Sequence, residues 1–245
     1  MILLLGGTGE ARQLSHLIRE DTALRALPLR VSQKTGQARL GLRVGGFGGV
    51  AGLVDWCQQH GVRILVDATH PFSRPMQAHA QAAAEALALL YLRLERQDWQ
   101  LPDALRYRSF ASERAMATAL SKLPPQRLAA TLGAKALSWL ARLSQHEIWV
   151  RVIDPETMPA LPPHIHLVKG RGPFGEAEEA AWLAAIAPDL LLSKRSGGKA
   201  TAAKVSVAAQ RGLPVWLLER PACTAPLSQC YRSALALVEA LKDHI

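Results

Sequence analysis

The stretch Met1-Ile2-Leu3-Leu4-Leu5-Gly6-Gly7-Thr8-Gly9-Glu10-Ala11-Arg12 runs from a short apolar segment through a glycine-rich turn into residues 10–19, which have helical periodicity. An apolar run, glycines and an amphipathic helix in that order open a βα unit. Glycines at such a turn let the backbone bend sharply and approach a pyrophosphate, and the N–H groups and dipole at the helix start favour negative charge. Gly6, Gly7, Thr8, Gly9, Glu10 and Ala11 are therefore expected to bind a dinucleotide. The match to the Gly-x-Gly-x-x-Gly fingerprint is incomplete. Gly7 and Gly9 fit, whereas the third position is Arg12, with the small Ala11 beside it.

Outward from this turn, short Leu-, Ile- and Val-rich runs alternate with helix-length amphipathic stretches, which predicts an α/β protein with mainly parallel sheets. Strands are expected at 1–5, 27–32, 62–67, 89–94, 127–131, 147–153, 166–169, 189–193 and 215–219. Helices are expected at 10–19, 75–90, 112–120, 134–143, 176–187, 200–211 and 233–241. So many strands favour two sheets over one. The polar stretch 95–108, with Pro102, reads as the joint, giving domains 1–95 and 96–245; the Pro-rich 155–163 reads as a long loop.

The 245 residues are 49% hydrophobic and 20% charged, the balance of a folded globular chain. The apolar run at 2–5 is far shorter than a membrane span and is not preceded by Lys or Arg, so a cytoplasmic protein without a membrane anchor is expected. The net charge of +9 predicts anionic partners. With only 5% aromatic residues and no basic tail, a small polyanion fits better than nucleic acid. Cys57, Cys223 and Cys230 are too few and too widely spaced for a zinc site or a disulfide framework; they read as reduced thiols, and no metal site is expected.

Other motifs fall at strand ends. Ser32-Gln33-Lys34-Thr35 has no acidic residue to hold ribose hydroxyls, and Ser32 and Lys34 suit an extra 2′-phosphate, so NADPH is expected rather than NADH. Gly45-Gly46-Phe47-Gly48-Gly49 permits close approach to a flat ligand through Gly46 and Phe47. Asp67-Ala68-Thr69-His70-Pro71-Phe72 ends a strand at the edge where open α/β sheets bind ligands, making Asp67, Thr69 and His70 the candidate catalytic groups. Lys194, Arg195, Ser196, Gly197 and Lys199 form a basic strand-to-helix turn suited to anions, and Arg171 and Phe174 lie in a similar loop. No Tyr-x-x-x-Lys pair, P-loop, nucleophile elbow or zinc-binding helix is present.

Taken together, 6–12, 45–49, 67–72, 172–174, Lys194-x-Ser196-Gly197-Gly198 and Glu219-Arg220-Pro221 resemble, in order and spacing, the precorrin-6A reductase family of cobalamin biosynthesis. The resemblance implies two Rossmann-like domains, with the ligands in the cleft between them. It also implies NADPH-dependent reduction of one carbon–carbon double bond of precorrin-6A, a polycarboxylate tetrapyrrole, to precorrin-6B. A cobalt-containing substrate and a non-catalytic NADP(H) sensor are the competing readings. A monomer or weak homodimer is expected.

Overall fold

A computed structural model describes residues 1–33, 41–198 and 201–244. It has two compact units, one made of the described residues of Met1–Gln97 and Pro221–Ile245, the other of those of Asp98–Arg220. Each holds a six-stranded sheet in which every neighbouring pair of strands is parallel.

The first unit comprises β1 (Ile2–Leu5), α1 (Gly9–Glu20), β2 (Leu29–Gln33), β3 (Leu42–Val44), α2 (Gly49–Gln59), β4 (Ile64–Asp67), α3 (Arg74–Ala86) and β5 (Leu90–Leu94). The C-terminal β12 (Cys230–Tyr231) and α8 (Ala234–Lys242) complete it. Its strand order is β12-β5-β4-β1-β2-β3. β1 and β4 are buried throughout, as central parallel strands covered on both faces must be. Alternate side chains point to opposite faces. Ile2 and Leu4 join Leu14 and Ile18 of α1 and Leu237 and Leu241 of α8. Leu3 and Leu5 join Leu53 of α2 and Ala80 and Ala83 of α3. Each fully buried Leu or Ile stabilises by about 1.5–3 kcal/mol, so this two-faced patterning makes β1 the axis of the unit.

The second unit comprises β6 (Tyr107–Phe110), α4 (Glu113–Leu120), β7 (Arg127–Thr131), α5 (Leu137–Leu140), β8 (Glu147–Val152), β9 (Ile165–Lys169), α6 (Glu176–Ile186), β10 (Leu190–Lys194), α7 (Ala203–Gln210) and β11 (Val215–Leu218). Its order is β6-β11-β10-β7-β8-β9. Ala129, Leu191, Val215 and Leu217 of the sheet pack with Leu183 and Ile186 of α6 and Val205 and Ala208 of α7.

Two sheets are present, as the strand count predicts, but the chain divides differently from 1–95 and 96–245. The last strand and helix belong with the first unit: Cys230 and Tyr231 pair in register with Arg93 and Leu94 of β5, and α8 covers the face shared with α1. The stretch 95–108 is more than a joint. Trp99 and Leu105 are buried in the second unit's core, and β6 begins at Tyr107. α2 also goes beyond the expected helices. It starts without a side-chain cap, from Gly48 and Gly49 at φ +82° and +92°, and a side chain at Gly52 would occupy the space of the Phe47 carbonyl. Among the described residues, no helix is long and apolar enough to cross a membrane.

Candidate functional site

In the first sheet the chain passes from β1 to β2 on one side and to β4 on the other. This is the switch point of a 3-2-1-4-5 order, where open α/β sheets bind ligands at the carboxyl edge. The turn after β1 is held close to its neighbours. The Gly6 N–H donates to the Ser32 carbonyl at 2.7 Å. A Cβ on Gly6 would sit 3.1 Å from the Ala11 Cβ and 3.5 Å from the Ser32 carbonyl oxygen, and Gly7 has φ +100°. Thr8 caps α1 by accepting from the Ala11 N–H at 3.0 Å, and its hydroxyl donates to the Ala68 carbonyl at 3.0 Å. One buried side chain thereby fastens the turn after β1 to the turn after β4.

The β4 turn rests on a buried ionic network. Asp67 is fully buried and Arg93, its register partner on β5, is 2% exposed. Arg93 Nη1 lies 2.7 Å from Asp67 Oδ2, the Tyr91 hydroxyl donates to the same oxygen at 3.0 Å, and Oδ1 accepts from the Thr69 N–H at 2.9 Å. Arg93 also donates to the Thr69 hydroxyl and carbonyl at 3.3 and 3.4 Å, and its Nε lies 3.2 Å from Glu95. Burial works against the Arg93 charge, but Asp67, Glu95 and Tyr91 outweigh it and raise its proton affinity. Burial, reinforced by Asp67, pushes the Tyr91 phenol far above its usual range and keeps it a donor.

His70 is half-buried beyond this network. Its Nδ1 accepts from the Phe72 N–H at 3.2 Å, which assigns the proton of the neutral ring to Nε2. The buried Gln77 amide donates to the His70 and Pro71 carbonyls at 3.1 and 3.2 Å, pinning the loop from below. Thus the expected groups Gly6, Gly7, Thr8, Gly9, Ala11, Asp67, Thr69 and His70 share one pair of linked turns.

Other expected cofactor residues flank these turns. Ser32 is buried at the carboxyl end of β2. Glu10 is 2.9 Å from Arg96, an arginine just beyond β5 that offsets the carboxylate at the helix start. Burial pulls the Arg96 guanidinium down and Glu10 opposes that pull. Phe47 lies against the core, edge-on to Trp56 at 5.6 Å, with the Arg43 guanidinium 4.0 Å above its ring. Arg43 also donates to the Gly45 and Gly46 carbonyls at 2.8 and 2.7 Å, and Gly46 is exposed. Lys34 lies outside the described residues.

The second sheet carries the expected anion-binding groups along its carboxyl edge. Lys194 ends β10; burial pulls its ammonium below the ordinary lysine range, Glu113 opposing and Lys135 reinforcing. Arg195 is engaged within its own unit, 2.9 Å from Asp98 and 3.1 Å from Glu219. Ser196 is buried beside the Thr201 hydroxyl at 3.2 Å. The Gly197 carbonyl accepts from Thr201 at 2.7 Å, and the Gly198 carbonyl accepts from the Trp99 indole at 3.1 Å. Arg171 is exposed, whereas Phe174 packs 4.2 Å from the Arg151 guanidinium. The loop bearing both follows β9, three strand spacings from β10, or about 14 Å. Lys199 lies outside the described residues.

Sequence reasoning missed Arg93, Tyr91, Arg96 and Gln77. The available signal was Arg93 itself, a charge inside the apolar run Leu90-Tyr91-Leu92-Arg93-Leu94 on a strand that can pair with one ending in Asp67.

Comparison with known proteins fits this geometry. The family model described as "Precorrin-6x reductase CbiJ/CobK" matches residues 1–242. The precorrin-6A reductase of Rhodococcus erythropolis is 36% identical over 228 residues, covering 90% of this chain and 89% of its own. The cobalt-precorrin-6A reductase of Priestia megaterium is 26% identical over 235 residues, covering 90% and 91%. A solved structure of CobK precorrin-6A reductase superimposes with a TM-score of 0.88 at 31% identity, covering 99% of this chain and 96% of that one. The chain belongs to the precorrin-6x reductase (CbiJ/CobK) family of oxidoreductases.

Proposed function

We propose that this chain reduces one carbon–carbon double bond of precorrin-6A to give precorrin-6B, using NADPH held on the first unit. The linked turns after β1 and β4 are the observation that carries this reading: a glycine-rich βα turn, the kind that suits a pyrophosphate, is hydrogen-bonded to the turn that leads to His70, in a member of a reductase family. Metal-free precorrin-6A is favoured over the cobalt form because the more similar relative carries the former name.

The residues present fit a dinucleotide. Gly6 brings the backbone in where no side chain fits well, and the first-turn amides of α1 have no acceptor inside the helix. Gly7 and Gly9 would offer their amides to the diphosphate, while Gly6 and Ala11, whose amides bond within the protein, would allow its close approach. Ser32 and Lys34 would hold the 2′-phosphate, and Gly46 and Phe47 would flank the nucleotide. The nicotinamide supplies the hydride when bound. Thr8 fastens the two turns to each other and Gln77 holds the His70 loop in place, which is the positioning that hydride chemistry demands. Asp67, enclosed by Arg93, Tyr91 and the Thr69 N–H, acts as a positioning residue; with Thr69 it fixes the base of the loop. His70 holds a proton at Nε2 and gives it to the ring carbon next to the reduced one. Lys194, Lys199 and the exposed Arg171 bind the acetate and propionate groups of the macrocycle. Arg195 and Ser196–Gly197 shape the turn that presents Lys194, and Phe174 shapes the loop that presents Arg171.

Anaerobic incubation of the protein with NADPH and precorrin-6A tests the reading. We expect rapid loss of cofactor absorbance, slower loss with NADH, and slower loss with cobalt-precorrin-6A. Bound NADPH that neither macrocycle oxidises would overturn it.

A further inference from the structure

The thiols of Cys223 and Cys230 come together in a segment that holds none of the residues assigned above to the reduction. Their Sγ atoms are 3.2 Å apart although they stand seven positions apart in the sequence. A disulfide needs about 2 Å between sulfurs, so closure asks for an approach of roughly 1 Å. The intervening loop is already tied down at both ends. Arg74 donates to the Ala222 carbonyl at 2.8 Å, and Thr224 donates to Gln81 of α3 at 3.1 Å. Ala225 is buried against the core, and Cys230 begins β12, paired with Arg93. The chain therefore holds the two sulfurs close through contacts that do not depend on a bond between them.

The environments of the two thiols differ in a way that orders the chemistry. Cys223 is exposed and open to a solvent reagent. Cys230 is half-buried; burial and the neighbouring Cys223 sulfur push its thiol up to about 12. An exposed thiol reacts first with an incoming reagent, and a shielded partner held nearby resolves the adduct. Cys57 is buried in the core, out of reach of a solvent reagent.

We infer that Cys223 and Cys230 are a dithiol that closes to an intramolecular disulfide by exchange with a small-molecule disulfide such as oxidised glutathione. The Cys223 thiolate attacks one sulfur of the reagent, forming a mixed disulfide and releasing one thiol. Cys230 then loses its proton and attacks the Cys223 sulfur, displacing the second thiol. The two protein thiols are oxidised to one S–S bond while the reagent is reduced to two thiols. This step is independent of the proposed reductase activity and joins the two ends of the segment that carries the sixth strand of the first sheet.

The test treats the full-length protein with oxidised glutathione, blocks remaining thiols and digests it with trypsin without reduction. Both cysteines fall in one peptide, 212–232, because Pro221 protects the bond after Arg220. In the wild-type protein this peptide is expected to lose two hydrogens and carry no glutathione. Cys230→Ser should stop at a glutathione adduct on Cys223, and Cys57 should stay unmodified in both proteins. Wild-type protein that accumulates the same adduct as Cys230→Ser, or whose peptide keeps both free thiols when a model dithiol peptide in the same mixture is oxidised, would overturn the inference.

Discussion

In the first unit β1 runs through Gly6 and Gly7 into the twelve-residue α1, capped by Thr8; in the second unit the matching strand β7 runs through Gly133 into a single 3-10 turn and the four-residue α5. Both sheets share the 3-2-1-4-5 order, and each takes its sixth strand from outside that run: β12 for one, β6 for the other. The difference lies in what each edge offers an anion. At β1 it is backbone amides and a helix dipole behind a crowded glycine; at β7 and β10 it is the side-chain cations Lys135 and Lys194, close enough to repel one another. Backbone amides suit a compact diphosphate, and long cationic side chains suit carboxylates spread over a macrocycle. The two sheets share a frame and differ in the residues that follow their strands.

The largest effects should come from the buried arginine of each unit. Arg93 with Asp67 in the first and Arg151 with Glu179 in the second are shielded pairs, Arg151 being bidentate at 2.9 Å and stacked 3.7 Å from Trp182. Removing one partner of a buried pair costs about 3–5 kcal/mol. Arg93→Met and Arg151→Met should each lower denaturant stability by that amount. Only Arg93→Met should also depress kcat in the surviving folded protein without changing NADPH affinity, and Arg93→Lys should restore part of kcat. Equal kcat losses in both variants would remove the positioning role assigned to Arg93.

Next, His70→Ala should reduce kcat about 100-fold, the lower part of the range for a lost general acid, while the NADPH Kd stays unchanged. Unaltered turnover across pH would eliminate His70 as the proton donor. Gly6→Val should weaken NADPH about 10–100-fold, since overpacking costs about 1–3 kcal/mol. Gly133→Ala strains a backbone held at φ +79° and so should lower stability, yet it should leave NADPH affinity intact, because that turn lies in the second unit. Calorimetric titration of both variants sharpens the contrast between the two turns, and equal weakening would erase it.

How much of this was legible depends on how locally each feature is encoded. β1, β4 and β7 are short apolar runs with turn residues behind them, and Gly6–Ala11 announces its own βα turn. β12 has only two residues, and β6 is mostly exposed, Tyr-Arg-Ser-Phe, so neither carries a hydrophobic pattern. Both form because a neighbouring strand offers an unpaired edge, which is a tertiary cause. Likewise Asp67 reads as a catalytic acid until β5 brings Arg93 beside it, and Arg195 reads as a ligand for anions until Asp98 and Glu219 take it. The close approach of Cys223 and Cys230 was hidden for the same reason.

The smallest effects belong to Lys194. Lys194→Ala should raise KM for the macrocycle about 10-fold, as expected for a lost charged hydrogen bond of about 1.5 kcal/mol, with NADPH affinity unchanged. Because burial lowers its proton affinity, the unfolded chain binds more protons between the folded value and the ordinary lysine value, so this group makes stability rise with pH through that window. Over the same window KM should rise as the ammonium is lost, and Lys194→Ala should flatten that rise. A KM equally pH-dependent in both proteins would detach Lys194 from substrate binding.

The most direct test of the account is to supply NADPH deuterated at the transferred position of the nicotinamide, under anaerobic conditions with precorrin-6A in ordinary water, and to weigh the product. Hydride delivery from the first unit, with a proton from His70, predicts one deuterium from the cofactor and one hydrogen from solvent in each product molecule. A product that gains both new hydrogens from solvent would contradict it.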